Sequence, residues 1–501
     1  MNSEKVKTLG ELKKINYRPK LIKEEIRDNL ILALMGRKEV FEGIVGYDES
    51  VIPQLQTAIL SRHNIILLGL RGQAKTRLAR LMVQLLDEYI PVVEHSEMND
   101  DPLKPISRFA KDLISEKGDS TPIVWLHRDE RYAEKLATPD VSVADLIGDV
   151  DPIKAATLKL PYSDERVIHY GIIPHSHRSI FVINELPDLQ ARIQVSLFNI
   201  LQEGDIQIRG FKMRLPLDIL FLFTANPEDY TNRGSIVTPL KDRIGSQILT
   251  HYPKNIAISR SITEQESRIT ESQKESITIP SVLFDLIEQT AFEARESDFI
   301  DKKSGVSARL TISALENLYS TIERRMLINK ESKAYARVSD IYGILPSITG
   351  KVELVYEGEV EGIATVATML IGKALRKQFD GIFPNPEKNK KSRSKAPNVY
   401  TDIINWFSEG NKVDLLQNAT QPEYEKELLF VKGLNDLVKS CFPRASKPEQ
   451  LFMMEFALHG LAEFSQVSKH RLETGVQFKD LLGSMMNFGI GEDEEEGSSS
   501  N

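Results

Sequence analysis

The feature that most constrains the fold is an apolar run that leads through a glycine-containing loop into an apolar helix. The run extends from Asn64 to Leu68, the loop reads GLRGQAKT from Gly69 to Thr76, and the helix follows with RLARLMVQLL. In such a unit the backbone N–H groups of the loop and of the helix N-terminus can surround phosphate groups. The pattern therefore predicts a phosphate-binding strand, loop and helix inside an α/β domain.

Other apolar runs in the first half of the chain indicate further strands. They are Pro122 to Leu126, Ser179 to Ile183, Asp218 to Thr224 and Gln247 to Tyr252. Their nearly continuous apolar character is typical of parallel strands that are covered on both faces. We therefore expect residues 41–255 to form one αβα nucleotide-binding domain with a parallel sheet.

The alternation of strands and helices is interrupted after the third of these runs. Ala191 to Glu203 has the apolar spacing of a helix. Asp205 to Arg209 and Phe211 to Leu215 are short alternating runs on either side of Gly210, a pattern that is typical of a β-hairpin. The sequence therefore predicts a hairpin inserted after a helix.

The loop residues indicate the ligand. Lys75 is expected to reach the β- and γ-phosphates of ATP, and the Thr76 hydroxyl is expected to bind Mg²⁺. Ala74 stands where glycine is usual before the lysine, and we expect it to keep a negative φ while Gly72 supplies flexibility. The loop contacts to the nucleotide are expected from Gly69, Arg71, Gly72, Gln73, Ala74, Lys75, Thr76 and Arg77.

Polar residues at two strand ends indicate hydrolysis. Asn184 and Glu185 follow the run SIFVI, where two acids would orient a Mg²⁺-bound water and polarise the attacking water. Glu185 is expected to be the base. Asn184 is neutral, so it can accept a hydrogen bond from a metal-bound water but adds no charge. Asn226 follows the next strand and is expected to face the γ-phosphate and help place the water.

In this order, the motifs resemble those of AAA+ ATPases, and specifically those of the MoxR group and the magnesium chelatase I subunit. The resemblance covers about residues 40 to 350. It is carried by the Gly-x-x-Gly-x-Ala-Lys-Thr loop and by Ala144 to Asp149, Asp151, Gly171 to Pro174, His177, Asn226 to Glu228, Asp242 and Arg243.

The resemblance implies further site residues. Ile44, Val45 and Gly46 resemble the segment that packs on adenine. Arg243 stands where ring ATPases place an arginine finger for the neighbour's γ-phosphate, with Arg233 as a second candidate for a contact between subunits. Arg309, at a predicted helix start, matches an arginine that reaches the phosphates from the lid.

The resemblance also implies an architecture and partners. The expected fold is an αβα P-loop domain with a β-hairpin inserted in its second helix, followed by an α-helical lid. The expected assembly is a ring, usually hexameric, that works with a von Willebrand A domain protein on an unknown protein target. The predicted segments are an N-terminal helical segment 1–40, the αβα domain 41–255, a helical lid 256–380, a linker 381–398, a further α-helical C-terminal domain 399–485 and a disordered acidic tail 486–501.

Composition restricts the setting and the partners. The net charge of −8 argues against nucleic acid as the main partner, although a local basic patch would escape this argument. No apolar stretch is long enough for a membrane span, and the first residues carry no apolar signal core. The single cysteine, Cys441, is expected in a reduced, cytoplasmic setting. His169, His175 and His177 match no zinc spacing, so no metal role is expected for them.

Four functions remain open on these residues. An ATP-driven remodelling motor is the leading prediction, and a nucleotide-binding scaffold with weak hydrolysis is the alternative that Asn184 motivates. A DNA-linked regulator or helicase shares the core fold but would need basic or base-contacting elements. Metal insertion into a porphyrin rests on the family resemblance alone.

Overall fold

The computed structural model describes residues 6–162, 164–208, 214–227, 235–387 and 399–481. The chain separates into two compact units, of which the first ends at Tyr252 and the second begins at Pro253. This boundary lies close to the predicted one after residue 255. The predicted N-terminal segment 1–40 belongs to the first unit. Among the described helices, none is long and apolar enough to cross a membrane.

The strands of the first unit are short. In chain order, its described residues form β1 (Ile65–Leu68), β2 (Tyr89–Val93), β3 (Ile123–His127), β4 (Tyr132–Leu136), β5 (Gly148–Val150), β6 (Ile168–Tyr170), β7 (Ser179–Asn184), β8 (Asp205–Ile206), β9 (Leu215–Pro216), β10 (Ile219–Ala225) and β11 (Ser246–Leu249).

Five of these strands form the main sheet of the described first unit, in the order β11-β1-β10-β7-β4. All neighbours are parallel, and β10 lies between β1 and β7. This order, with the glycine-containing loop after β1, fits the predicted αβα fold of an AAA+ P-loop domain. The edge strand β4 was not predicted, because its sequence YAEKL is too polar to resemble a buried strand.

The prediction for Pro122 to Leu126 was wrong in its pairing. The strand exists as β3, but it pairs antiparallel with β2 in a separate two-stranded sheet of the described residues. Its side chains after Ile123 are partly or fully exposed. A strand that is covered on one face only does not need the parallel neighbours that we inferred from its apolar composition.

Helices cover both faces of the main sheet. Alternate residues of β1 enter different hydrophobic clusters, Ile66 and Leu68 on one face and Ile65 and Leu67 on the other. The described α-helices of this unit are Leu9–Lys14, Ile22–Met35, Val51–Leu60, Lys75–Leu81, Arg108–Lys117, Val143–Leu146, Pro152–Leu158, Ile172–His175, Ala191–Ser196, Phe198–Glu203 and Thr238–Asp242.

The predicted helix and hairpin are present with one modification. The helix is divided at Leu197 into Ala191–Ser196 and Phe198–Glu203. Strands β8 and β9 pair antiparallel, with Ile206 opposite Leu215. Residues 209–213 of the predicted hairpin, including Gly210, lie outside the described residues.

Buried charges attach the helix Ile22–Met35 to the sheet at the start of β10. Arg131 donates to both carboxylate oxygens of Glu25 at 2.6 and 2.7 Å, and it also donates to the Arg178 carbonyl oxygen at 3.0 Å. The Arg178 amide donates to the Asp218 carbonyl oxygen at 2.7 Å. The Asp218 carboxylate accepts from the Ile22 amide at 2.8 Å, so it caps the first turn of the helix.

The second unit is mainly helical. Its described α-helices are Ile256–Glu266, Glu271–Ser276, Ser281–Glu296, Arg309–Ile328, Leu345–Thr349, Tyr356–Glu361, Ile363–Ile382, Thr401–Ser408, Gln421–Phe430, Leu434–Cys441 and Lys447–Glu463. The helix Ile363–Ile382 continues past residue 381, the predicted start of the linker. Residues 388–398 of that linker and the predicted tail 486–501 lie outside the described residues.

The described part of region 399–481 contains a sheet in addition to the predicted helices. After the two-residue strands β12 (Ile277–Thr278) and β13 (Ala334–Tyr335), this region adds β14 (Val413–Leu416), β15 (Ser468–Leu472) and β16 (Gly475–Lys479). These last three strands pair antiparallel in the order β14-β16-β15. Runs of four or five residues are too short to show a clear strand pattern in the sequence.

The predicted lid and C-terminal domain share one hydrophobic cluster. It includes Phe379 of the helix Ile363–Ile382 and Phe456 of the helix Lys447–Glu463. The two helices approach closely at Gly460, where an added Cβ would lie 1.9 Å from the Phe379 ring. The two predicted domains therefore form one compact body.

Candidate nucleotide site

The loop after β1 contains two residues with a positive φ, Gly72 and Ala74. The Gly69 amide donates to the Ala225 carbonyl oxygen at 3.1 Å, which places the loop beside the end of β10. Gly72 has a φ of 77°, as its predicted flexibility allows. Ala74 has a φ of 56°, so the prediction of a negative φ was wrong. The turn into the helix requires the left-handed region here, at a cost of about 1–2 kcal/mol for alanine.

The Lys75 side chain lies inside this loop. Its ammonium group donates to the Gly69 carbonyl oxygen, to the Leu70 carbonyl oxygen at 3.1 Å and to Asn226 Oδ1 at 3.0 Å. Lys75 is 7% exposed. The structure thus brings together two residues that the sequence assigned to one site, although they lie 151 positions apart.

The other predicted nucleotide contacts differ in their location and burial. Thr76 and Arg77 are half-buried in the first turn of the helix Lys75–Leu81. Ile44 is buried in the same hydrophobic cluster as Leu78 of that helix. Val45 and Gly46 are half-buried, and Gly46 has a φ of 83°. Whether these residues contact a nucleotide remains a prediction.

A hydroxyl group connects the two strand ends that carry the predicted catalytic groups. Thr224 Oγ1 accepts from the Glu185 amide at 3.2 Å and donates to Asn184 Oδ1 at 3.1 Å. Glu185 has a φ of 55°, in the left-handed region that non-glycine residues rarely occupy. Such strain is common at functional sites. Thr224 therefore orients both residues, a role that the sequence did not indicate.

Of the three predicted arginines, the structure describes Arg243 and Arg309, which belong to different units. Arg243 donates to Gln202 Oε1 at 3.0 Å and to the Pro239 carbonyl oxygen at 2.7 Å, and its guanidinium lies 5.0 Å from the centre of the Phe198 ring. Arg309 is the exposed first residue of the helix Arg309–Ile328 in the second unit. Arg233 lies outside the described residues, as does Glu228. The functional roles of all three arginines stay predictions.

Sequence reasoning missed three residues that hold the loop from outside. Thr250 Oγ1 donates to Gln73 Oε1 at 2.7 Å, and the Tyr252 hydroxyl donates to the Arg71 carbonyl oxygen at 3.0 Å. The Tyr47 hydroxyl donates to the Gln73 carbonyl oxygen at 3.0 Å. Burial raises the pKa of Tyr47 to about 12, so it remains a donor at neutral pH. Thr250 and Tyr252 follow β11, which ends at Leu249, although the sequence predicted that the strand continues to Tyr252.

The histidines that we discounted as metal ligands have structural contacts. His177 Nδ1 accepts from the Asp218 amide at 3.0 Å, and burial lowers the pKa of His177 to about 4. The ring is therefore neutral at pH 7, as this accepting role requires. His175 Nδ1 is bonded to the Glu97 carbonyl oxygen. Within the described residues, no cluster of metal-ligating side chains occurs.

A cavity of about 430 Å³ lies away from the phosphate-binding loop. Its lining comes from the segment around the start of β5 and from the inserted helix and hairpin, namely Val143, Ala144, Ile147, Gly148, Asp149, Val195, Ser196, Asn199, Ile200, Asp205, Ile206, Gln207 and Ile208. Its lining contains none of the predicted nucleotide contacts. The cavity therefore belongs to the insertion and not to the candidate nucleotide site.

The chain is similar to several solved structures at low sequence identity. No family model matches the sequence. The chain is similar to the structure of a candidate ATPase from Cytophaga hutchinsonii, at 19% identity over 73% of this chain and 98% of that one, with a TM-score of 0.28. A complex of magnesium chelatase subunits BchI and BchD is similar at 17% identity over 64% of this chain and 98% of that one, with a TM-score of 0.33.

A third similar structure is RuvB from Thermotoga maritima. It has 11% identity over 82% of this chain and 98% of its own, with a TM-score of 0.32. These TM-scores are low, so the fold assignment depends on the strand order and the loop after β1, and not on overall superposition.

Proposed function

We propose that this chain binds ATP with Mg²⁺ at the Gly69 to Thr76 loop and hydrolyses it within a ring of subunits to remodel a protein target. The observation that carries the proposal is the contact between the Lys75 ammonium and Asn226 Oδ1 at 3.0 Å. It joins the predicted phosphate-binding loop to the polar end of β10. The neighbouring strand β7 ends at Asn184, and Glu185 follows it. A purely structural loop would not need this convergence.

The residues present fit a nucleoside triphosphate. The Lys75 ammonium is held by carbonyl oxygens of its own loop, at the position where it can be shared with phosphate oxygens. The Thr76 hydroxyl would hold Mg²⁺. When bound, ATP with Mg²⁺ supplies a terminal phosphoryl group that water can attack.

Each polar group then has a task at a stated atom. The Glu185 carboxylate would orient the attacking water and accept its proton. Asn226 uses Oδ1 for Lys75, so its amide Nδ2 can donate to the water or to a phosphate oxygen. Arg243 of a neighbouring subunit would stabilise the transferred charge after leaving its present partners, and Arg309 would approach from the lid.

The assembly and the partners follow from the family resemblance. A hexameric ring and a von Willebrand A domain partner are the expected arrangement, and the identity of the protein target is not part of the proposal. Metal insertion into a porphyrin is not favoured by any group in the described residues.

Asn184 favours one alternative, a nucleotide-binding scaffold that turns over slowly. Its amide oxygen accepts from Thr224 at 3.1 Å, and no carboxylate stands at this position. The metal site would therefore have one negative charge less than a site with aspartate. Such a protein would bind ATP through Lys75 and release little phosphate.

The test is phosphate release by the purified full-length chain with ATP and Mg²⁺. We expect Lys75→Ala to reduce both nucleotide binding and turnover by about 100-fold or more. Arg80→Ala, on the same helix and exposed, is the matched control and should change neither. Nucleotide binding that requires Lys75 without any turnover would support the scaffold. Nucleotide binding that ignores Lys75 would overturn both readings.

A further inference from the structure

Strand β11 connects the predicted arginine finger to the phosphate-binding loop of the same subunit. The strand begins at Ser246, shortly after Arg243, and ends at Leu249. It lies parallel to β1 along its whole length, with Leu249 opposite Leu68. The finger segment and the loop are therefore joined to opposite ends of two paired strands.

The residue after β11, Thr250, is bonded to the last residue of β1 and to a residue within the loop. The Thr250 amide donates to the Leu68 carbonyl oxygen at 2.7 Å. Thr250 Oγ1 donates to Gln73 Oε1 at 2.7 Å and lies 3.2 Å from the Leu68 carbonyl oxygen. Thr250 and Gln73 are 8% and 6% exposed, so water competes little for these bonds.

The next two residues add bonds to the same loop. The Tyr47 hydroxyl is shared between the Gln73 and His251 carbonyl oxygens, at 3.0 and 2.9 Å. Tyr252 bonds to the Arg71 carbonyl oxygen. Three consecutive residues that follow the strand therefore contact the loop, directly or through one tyrosine.

The Thr250 and Gln73 side chains pack closely against Gly69. A Cβ added at Gly69 would lie 1.8 Å from Thr250 Oγ1 and 2.2 Å from Gln73 Oε1. A shift of β11 would therefore displace the Gln73 side chain or break its bond to Thr250. Because interiors are close-packed, such shifts are transmitted and not absorbed.

Building on the proposed function, we propose that Thr250 is a positioning residue that couples the state of Arg243 to the loop of its own subunit. While Arg243 is bonded to Gln202 and Pro239, the Thr250–Gln73 bond holds the loop in the observed form. When Arg243 turns to the neighbour's phosphate, its segment moves and β11 relaxes this bond. Each subunit thereby adjusts its own loop to the nucleotide next door.

A double-mutant cycle of Thr250→Val and Arg243→Ala tests this coupling in the full-length protein. Measured quantities are kcat, KM for ATP, the dissociation constant of fluorescent mant-ADP and the thermal midpoint. Thr57→Val removes a hydroxyl that bonds within its own helix, and it is the matched control. Thr250→Ser keeps the hydroxyl and should restore most of any loss.

We expect Thr250→Val to lower kcat about fivefold in the presence of Arg243 and to have little further effect in Arg243→Ala. The thermal midpoints should be additive. Multiplicative losses in kcat would overturn the coupling, because a residue that merely stabilises the loop acts in the same way with or without Arg243.

The mant-ADP binding measurement distinguishes failure of this inference from failure of the proposed function. If the wild-type protein releases no phosphate, hydrolysis fails as a proposal, and the cycle is read from mant-ADP affinity. A dissociation constant that Thr250→Val changes by the same factor in both backgrounds would then refute the coupling. A change of about fivefold that disappears in Arg243→Ala would support it.

Discussion

The two ends of strand β10 carry polar groups with opposite kinds of partners. At its start, the Asp218 carboxylate caps a helix, and Arg178 links it to the Arg131–Glu25 pair. At its end, Asn226 contacts the Lys75 ammonium, which a phosphate could share. The first set is paired within the fold, whereas the second offers donors and acceptors that a ligand can take over.

The difference shows which buried charges are structural. Arg131 and Glu25 are 1% and 4% exposed and use two hydrogen bonds to each other. These bonds leave few donor or acceptor groups of the pair for a ligand. Lys75 is also buried, at 7% exposed, yet it donates to the Gly69 and Leu70 carbonyl oxygens of the loop that we propose to bind phosphate.

The largest expected effect concerns the start of the strand. Arg131→Met should lower the free energy of unfolding by about 3–5 kcal/mol, because it leaves the Glu25 carboxylate buried without its partner. Urea titration measures the loss. Arg80→Ala breaks the exposed pair with Glu134 and should cost less than about 1 kcal/mol. Equal losses of unfolding free energy in the two variants would mean that burial of the Arg131–Glu25 pair does not increase its contribution to stability.

The next effect is a pH dependence at Asp218. Burial raises its pKa to about 6 from 3.8, so the folded state binds the proton more tightly than the unfolded state. Stability from this group is therefore full below pH 3.8 and is lost as pH rises through 6, by up to roughly 3 kcal/mol. The difference in free energy of unfolding between wild type and Asp218→Asn should follow this curve. A difference that does not vary between pH 4 and 6.5 would contradict it.

At the other end of the strand, Asn184→Asp should act on metal binding and hardly on stability. The new carboxylate can still accept from Thr224, and it adds a charge beside the Mg²⁺ position. We expect the Mg²⁺ concentration that gives half-maximal phosphate release to fall about tenfold, which corresponds to about 1.4 kcal/mol of Mg²⁺ binding free energy. A Mg²⁺ titration of turnover measures it, with Asn199→Asp as an exchange outside the site. Unchanged or weaker dependence would show that the amide itself is required.

The smallest effect concerns the loop backbone. Ala74→Gly relieves the left-handed strain but increases the freedom of the unfolded chain, so the two terms nearly cancel. We expect the free energy of unfolding, measured from the thermal midpoint, to stay within about 1 kcal/mol of the wild-type value. The dissociation constant of mant-ADP should stay within about threefold of the wild-type value. A loss of affinity well beyond that would show that the alanine methyl group contributes to binding.

The sequence predicted those parts of the site that depend on residue type and on the order of elements along the chain. The positions of Lys75 and Asn226 follow from the order of parallel strands, because the carboxyl ends of adjacent strands meet at one edge. The hairpin strands β8 and β9 follow from alternation around Gly210. These features depend on local patterns and on one topological rule.

The rest could not be predicted because it depends on distant packing. Thr250 and Gln73 lie 177 positions apart, and neither belongs to a pattern that pairs them. The φ of Ala74 is imposed by the turn into the helix and contradicts the usual preference of alanine. Strand β4 is polar because it lies at the sheet edge, and composition alone cannot distinguish such a strand from a loop.

The close approach of Gly460 and Phe379 has a consequence for how the second unit can change over time. An alanine at Gly460 would collide with the ring, and a smaller residue at Phe379 would leave a void on the glycine. The two segments look like separate domains in the sequence, but the residues at positions 379 and 460 must therefore change together during evolution. A substitution on one side is tolerated only when the other side has already made room for it.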